Sequence, residues 1–149
     1  MIFKPHTTVA TIVENDGRFL FVEERVRGEL VINQPSGHLE AGESLLQAAR
    51  RETLEETGCG VEPGSLVGIY QWQDSSSGRC FLRFTFAAAL RSHDPTARLD
   101  DGIERIRWLT QAELDAQALP LRSPVITQSL DDYATEPHGS LRLLHWIEG

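Results

Sequence analysis

The sequence predicts an α+β fold, a mixed β-sheet packed between helices. Three features carry that reading. A well-capped helical stretch from Ser44 to Gly58 sits between two sets of short apolar runs that read as strands. Asn15-Asp16-Gly17 joins the first two runs by a strong hairpin turn. Two further helical segments follow the last strand, so the order is strands, helix, strands, helices, as in one α+β or α/β/α domain.

Taken in order, Val9 to Val13 is the first strand, Phe19 to Val22 its hairpin partner, and Leu30 to Ile32 a third, short strand. Residues 33–42 carry Pro35, Gly37 and Gly42 and read as a loop. Ser44 and Gln47 fit a capping box, good helix formers follow, and Gly58 is a natural stop. Glu62-Pro63-Gly64-Ser65 reads as a turn. Leu66 to Trp72 and Cys80 to Leu90 are strands joined by a loop around Ser75-Ser76-Ser77-Gly78, and Ile103 to Leu109 is another strand. Thr110 and Glu113 make a second capping box that opens a short helix. Ser123-Pro124 opens a third helix reaching about Tyr133, since proline fits a first turn. Pro137-His138-Gly139 breaks the chain, and Leu141 to Ile147 is compatible with strand or helix. No repeat, low-complexity tract or linker interrupts this series, so residues 1–149 are expected to form a single domain.

Composition narrows the function. A chain of 149 residues with 40% hydrophobic and 24% charged residues suits a globular core and argues against disorder. The net charge of −8 argues against nucleic-acid binding, which needs a basic surface. A small phosphorylated substrate stays compatible, because a bound cation supplies positive charge locally. No apolar run reaches the length of a bilayer span, and Met1-Ile2-Phe3-Lys4-Pro5-His6 lacks a signal-peptide pattern, so no membrane contact and a cytoplasmic location are expected. Cys59 and Cys80, outside any CxxC pair, read as buried free thiols.

Three glutamates are out of place for a purely structural helix. Glu52, Glu55 and Glu56 lie in its last two turns, where the dipole disfavours each carboxylate by roughly 0.3–1 kcal/mol. Their i, i+3, i+4 spacing adds about 0.2–0.5 kcal/mol of repulsion per pair. A bound divalent cation reverses the sign of both effects. On the helical wheel the three share an arc with Leu45, Ala48 and Ala49, which points them into a cleft, although Leu46 and Thr53 offer a second face for burial. Taken alone, such a charge run is more often a solvated helix face. Oxygen-only ligands suit Mg²⁺ or Mn²⁺ rather than zinc.

The wider segment sharpens this. Gly37, Glu43, Arg51-Glu52, Glu55-Glu56 and Gly58 follow one another at the spacing of the Nudix box, over residues 37–59. A chance match of these residues is on the order of 10⁻⁸ per starting position, so the chain is identified as resembling the Nudix family. Thr53 and Cys59 stand where that pattern has bulky aliphatic residues, and looser packing is expected there. The resemblance implies the Nudix α/β/α sandwich and metal-dependent cleavage of a phosphoanhydride bond. It implies Mg²⁺ (or Mn²⁺) held by Glu52, Glu55, Glu56 and the carbonyl of Gly37, one glutamate also acting as base, and an Arg51–Glu43 pair orienting loop and helix.

Outside the box, Glu104 is the candidate for an additional ligand, ahead of Asp100 and Asp101, against the plainer reading of a surface carboxylate. Glu40 reads as structural or near the metal. Asn33, Gln34, His38 and Arg83 are candidates for substrate contact. Trp72 and Tyr70 are candidates for stacking on a base, though strand aromatics more often belong to a core. Segments such as Asn33-Gln34-Pro35, Gln71-Trp72, Phe81-Leu82-Arg83-Phe84 and Leu121-Arg122-Ser123-Pro124 resemble one group of bacterial Nudix phosphatases. That resemblance implies hydrolysis of nucleoside di- and triphosphates, thiamine pyrophosphate and hydroxymethylpyrimidine pyrophosphate, with orthophosphate released. Ile32 stands where a tryptophan is expected, and the chain diverges after Tyr133. The rival readings are a Nudix hydrolase for dinucleoside polyphosphates or capped RNA, a non-catalytic binding module, and an isomerase on the same fold. Retention of every box glutamate counts against the binding module. A monomer or a homodimer is expected.

Overall fold

The computed structural model describes residues 1–149. Strands β1 (His6–Asn15) and β2 (Arg18–Val26) form the expected hairpin. Asp16 and Gly17 close it with φ of 51° and 74°, as a two-residue turn between right-twisted strands requires. A second such turn at Arg27-Gly28 leads into β3 (Glu29–Asn33). The stretch expected to be loop contains a further strand, β4 (Ser36–His38), paired antiparallel with Thr8–Ala10 of β1. Three residues are too few to show an apolar alternation, so only the partner strand makes this one visible.

Helix α1 (Leu45–Thr57) starts on a complete Ser44/Gln47 capping box and ends on Gly58 in the left-handed conformation. Strands β5 (Cys59–Gln73), β6 (Cys80–His93) and β7 (Ile103–Leu109) follow, then α2 (Gln111–Ala116) and α3 (Val125–Thr135). The turn expected at 62–65 lies inside β5 instead. That strand is at the sheet edge, where proline is tolerated, and register shifts at Gly60/Val61, Pro63/Ser65 and Leu66/Gly68 absorb it. At the start of α2, Thr110 accepts from the Glu113 amide, but the Glu113 carboxylate goes to Arg18, so only half of the second capping box forms.

The sheet order is β3-β2-β1-β6-β5, with β4 beside β1 and β7 beside β2. β1 and β6 run parallel and the other pairs antiparallel, which makes the sheet mixed. Side chains alternate across β1. Val9 joins Ala48 and Ala49 of α1, with Leu66 and Phe86, on one face. Ile12 joins Ile126 and Leu130 of α3, with Phe21, Ile32 and Val67, on the other. The result is the helix–sheet–helix sandwich anticipated.

Two local expectations are corrected. Thr53 and Cys59 leave no looseness: both are fully buried, and the Thr53 hydroxyl lies 2.8 Å from that of Thr11 and donates to the Ala49 carbonyl. Ile32 packs in the core against α3. Residues 141–147 are neither strand nor regular α-helix. A single 3-10 turn at Leu141–Leu143 lays Leu141 and Leu144 against the α1 cluster, after Gly139 has bridged to Leu66. Cys59 and Cys80 are buried and free.

Candidate active site

The buried face of α1 is made by Ala48, Ala49, Thr53, Glu56 and Thr57. The four residues without charge press the helix onto the sheet, and this holds Glu56 under β4. Its carboxylate accepts a hydrogen bond from the Ser36 amide at 2.9 Å. Burial pushes its pKa up to about 9, the Ser36 amide opposes this, and the charges of Glu24, Glu52 and Asp100 add to it. Glu52 is also raised by burial, with Arg51 opposing. Glu55 is exposed.

Arg51 ties these groups to the loop before the helix. Its Nε and Nη2 donate to the two carboxylate oxygens of Glu43 at 2.9 and 2.7 Å. Its Nη1 donates to Glu52 at 2.9 Å and to Glu55 at 3.1 Å, and Nη2 also reaches the His38 carbonyl at 3.1 Å. The bidentate Glu43 contact holds the Arg51 pKa far above its ordinary value and Glu43 below the usual carboxylate range. Glu40 stays at the periphery, 3.6 Å from Arg51.

The donor set suits a hard divalent cation. Carboxylate oxygens of Glu52, Glu55 and Asp100 lie within 4.8 Å of one another. Asp100 reaches the helix because its amide donates to the Glu55 carbonyl at 3.0 Å. Glu56 is not in that group but shares a pocket with Glu52 and Gly37. A Cβ added at Gly37 would sit 2.1 Å from the Glu52 carboxyl carbon, so only glycine lets that carboxylate approach the backbone of β4. Oxygen donors crowded this closely fit Mg²⁺ or Mn²⁺. Asp100, rather than Glu104, is the carboxylate brought beside Glu52 and Glu55. Antiparallel pairing of β7 with β2 places Glu104 beside Arg25, at 2.8 Å, in a different depression.

A cavity of about 440 Å³ opens beside these carboxylates. Glu24, Glu52 and Glu56 line it together with Asn33, Ser36, Gly37 and His38. Trp72, Phe81, Arg83 and Arg122 line it as well. Asn33 donates to Glu24 at 2.8 Å and to Ser36 at 3.2 Å, while its own carbonyl oxygen is buried without a partner. His38 meets His6 at 3.2 Å, and burial lowers its pKa. Trp72 is stacked on Phe81 at 5.4 Å, with the Arg122 guanidinium 5.4 Å from its ring centroid. Gln34 and Tyr70 do not line the cavity: Gln34 is fully buried behind Arg83, and Tyr70 donates to Asp132 on α3. Glu24 and Arg122, which sequence reasoning did not single out, and Asp100, which it placed behind Glu104, also stand at this site. Nothing local distinguishes them, because each is delivered by a contact distant in the chain.

The NUDIX domain family model matches residues 4–130. The chain belongs to the Nudix family. Phosphatase NudJ of Escherichia coli strain K12 is 41% identical over 143 residues, covering 96% of this chain and 92% of that protein. A Nudix hydrolase structure from Nitrosomonas europaea superposes with a TM-score of 0.94 at 44% identity, covering 98% and 99% of the two chains. A UDP-X diphosphatase at 20% identity and a TM-score of 0.72, covering 94% of this chain and 68% of that one, shares the fold. With these relatives and its complete box, this protein is a Nudix hydrolase.

Proposed function

We propose that this Nudix hydrolase cleaves small heterocyclic or nucleoside di- and triphosphates, releasing orthophosphate, with Mg²⁺ or Mn²⁺ held by Glu52, Glu55, Glu56, Asp100 and the Gly37 carbonyl. One observation carries the reading: a single cavity is lined both by the box carboxylates Glu52 and Glu56 and by arginine and aromatic side chains. The bound cation neutralises the phosphoanhydride and activates water. The chain's own groups do the rest. Arg51 holds the glutamates and the loop in register. One box glutamate takes the proton from the attacking water. Trp72 and Phe81 border the ring, Asn33 presents an unpartnered carbonyl to it, and Arg83 receives a phosphate. The similarity to NudJ, a phosphatase by name, supports phosphate release.

Product analysis with a nucleoside triphosphate and with hydroxymethylpyrimidine pyrophosphate tests this. Orthophosphate from both is the expected result, abolished by excess chelator. Monophosphate plus pyrophosphate from the triphosphate, with the pyrimidine substrate untouched, would remove the phosphatase reading and leave a pyrophosphohydrolase of the same family. Cleavage of dinucleoside polyphosphates in preference to both would favour the rival substrate class.

A further inference from the structure

We propose that Arg83 and Arg122 form an anion subsite that holds a second phosphate of the substrate without a bridging cation. The proposal rests on the functional reading above and narrows it: the preferred substrate carries at least two phosphates, one at the carboxylates and one at the guanidinium groups.

Arg83 is 8% exposed, yet it has no ion pair. The one hydrogen bond its side chain makes within the protein runs from Nη2 to the Gln34 carbonyl oxygen at 2.8 Å, and Nε has no partner. Gln34 is itself buried, and its Nε2 donates to Ser129 Oγ at 3.0 Å, which turns the carbonyl toward the guanidinium. The frame is therefore neutral: it orients Arg83 without cancelling its charge. Burial pushes the Arg83 pKa down to about 10; Glu24 and Glu56 favour its charge from a distance and Arg122 opposes it, but none of the three bonds to it. A buried charge is normally paired or fully hydrogen-bonded, so an arginine left partly unpartnered at a cavity wall has room for an anion.

Arg122 supplies the second cation. Its backbone is fixed, the Arg122 amide donating to the Ile32 carbonyl at 2.8 Å and the Ile32 amide to that of Pro120 at 2.9 Å. Its side chain takes part in no ion pair and rests over the rings of Trp72 and Phe81, at 5.4 and 5.9 Å. The chain has 22 acidic residues against 14 Lys and Arg. Carboxylates are plentiful, yet the two arginines that line this cavity have none bonded to them. Guanidinium forks match phosphate oxygens, and two lining one cavity form a site that needs no metal.

The test is calorimetric titration of inorganic phosphate, and separately of pyrophosphate, into the full chain in excess chelator. Saturable binding is expected. Arg122→Gln should weaken it at least about tenfold, with Arg122→Lys recovering part. Arg142→Gln, the same charge change in the exposed tail, should leave it unchanged. Gln34→Glu is the discriminating variant: it keeps the shape but sets a carboxylate against Arg83. It should raise Tm and weaken phosphate binding at least about tenfold; a purely structural Arg83–Gln34 contact predicts the higher Tm alone. Phosphate affinity unchanged in both Arg122→Gln and Gln34→Glu would overturn the proposal, as would binding that appears only with Mg²⁺. If triphosphates yield no orthophosphate but metal-free phosphate binding falls in these variants, the subsite stands and the phosphatase reading falls.

Discussion

At position 37 one methyl group decides whether Glu52 keeps its place. Its Cβ would lie 2.1 Å from the carboxyl carbon, and the long Glu52 side chain would swing away before the strand moved. Gly37→Ala should therefore fold, lose at least about tenfold in Mg²⁺ affinity and lose about a hundredfold in turnover, as removal of a positioned group does. Unchanged Mg²⁺ affinity by calorimetry would show that Glu52 does not ligate from this position. Glu56 poses the opposite problem, a carboxylate only 8% exposed beside other carboxylates. Glu56→Gln keeps an acceptor for the Ser36 amide and replaces a carboxyl that burial already holds neutral when no cation is bound. Turnover should fall by orders of magnitude, yet Tm in chelator should hold or rise. Mg²⁺ should raise the wild-type Tm and leave that of the variant nearly unmoved. A Tm drop in chelator would make Glu56 a structural residue.

Helix α1 is the element that turns these residues into a site. Its capping box satisfies two amides that would otherwise lack partners. Ser44→Ala should destabilise the protein by about 1 kcal/mol, roughly 2–4 °C in Tm, with activity retained at 25 °C; a variant that loses activity but not stability would place Ser44 in the site instead. The same helix carries Arg51, whose guanidinium spans Glu43, Glu52 and Glu55. Arg51→Ala should weaken Mg²⁺ binding and increase protease cleavage between Leu39 and Glu43, since the loop loses its tie to α1. Arg51→Lys should recover little, because an ammonium cannot form the bidentate Glu43 contact. Full rescue by lysine would reduce the role of Arg51 to charge alone.

Across the whole molecule, β2 and β7 are joined by Glu23, which is 3% exposed and bonded to Arg105 and Arg107. The hydrogen bond from the Arg105 guanidinium holds the Glu23 carboxyl below its ordinary pKa, with Arg107 adding to it against the effect of burial. A carboxylate depressed in the folded state stabilises above its unfolded pKa, near 4.3, and that stabilisation is lost as pH falls through the lower folded value. Glu23→Gln should therefore lower the urea midpoint at pH 7, with the difference from wild type shrinking below about pH 4. A difference that stays constant from pH 7 to pH 3 would assign the effect to packing.

Helix α1, both of its caps, the first hairpin and the crowded glutamates were legible because each rests on contacts within a few residues. The hairpin needs only Asp16 and Gly17 in the left-handed region, and the Glu52, Glu55 and Glu56 pattern is odd on any helix. β4 was not legible, since Ser36–His38 becomes a strand only by pairing with Thr8–Ala10. Pro63 was read as a turn for the same reason: its strand depends on β6 and on lying at the edge. Asp100 and Glu104 are four residues apart, and nothing local decides which one meets α1. The Asp100 amide reaching the Glu55 carbonyl decides it. Arg122 likewise enters the cavity because its backbone zips to Ile32, about ninety residues earlier in the chain. Residues that make the chemistry announce themselves by type and spacing, whereas the cavity that selects a substrate is built from contacts between distant segments, and only their packing in three dimensions brings it into being.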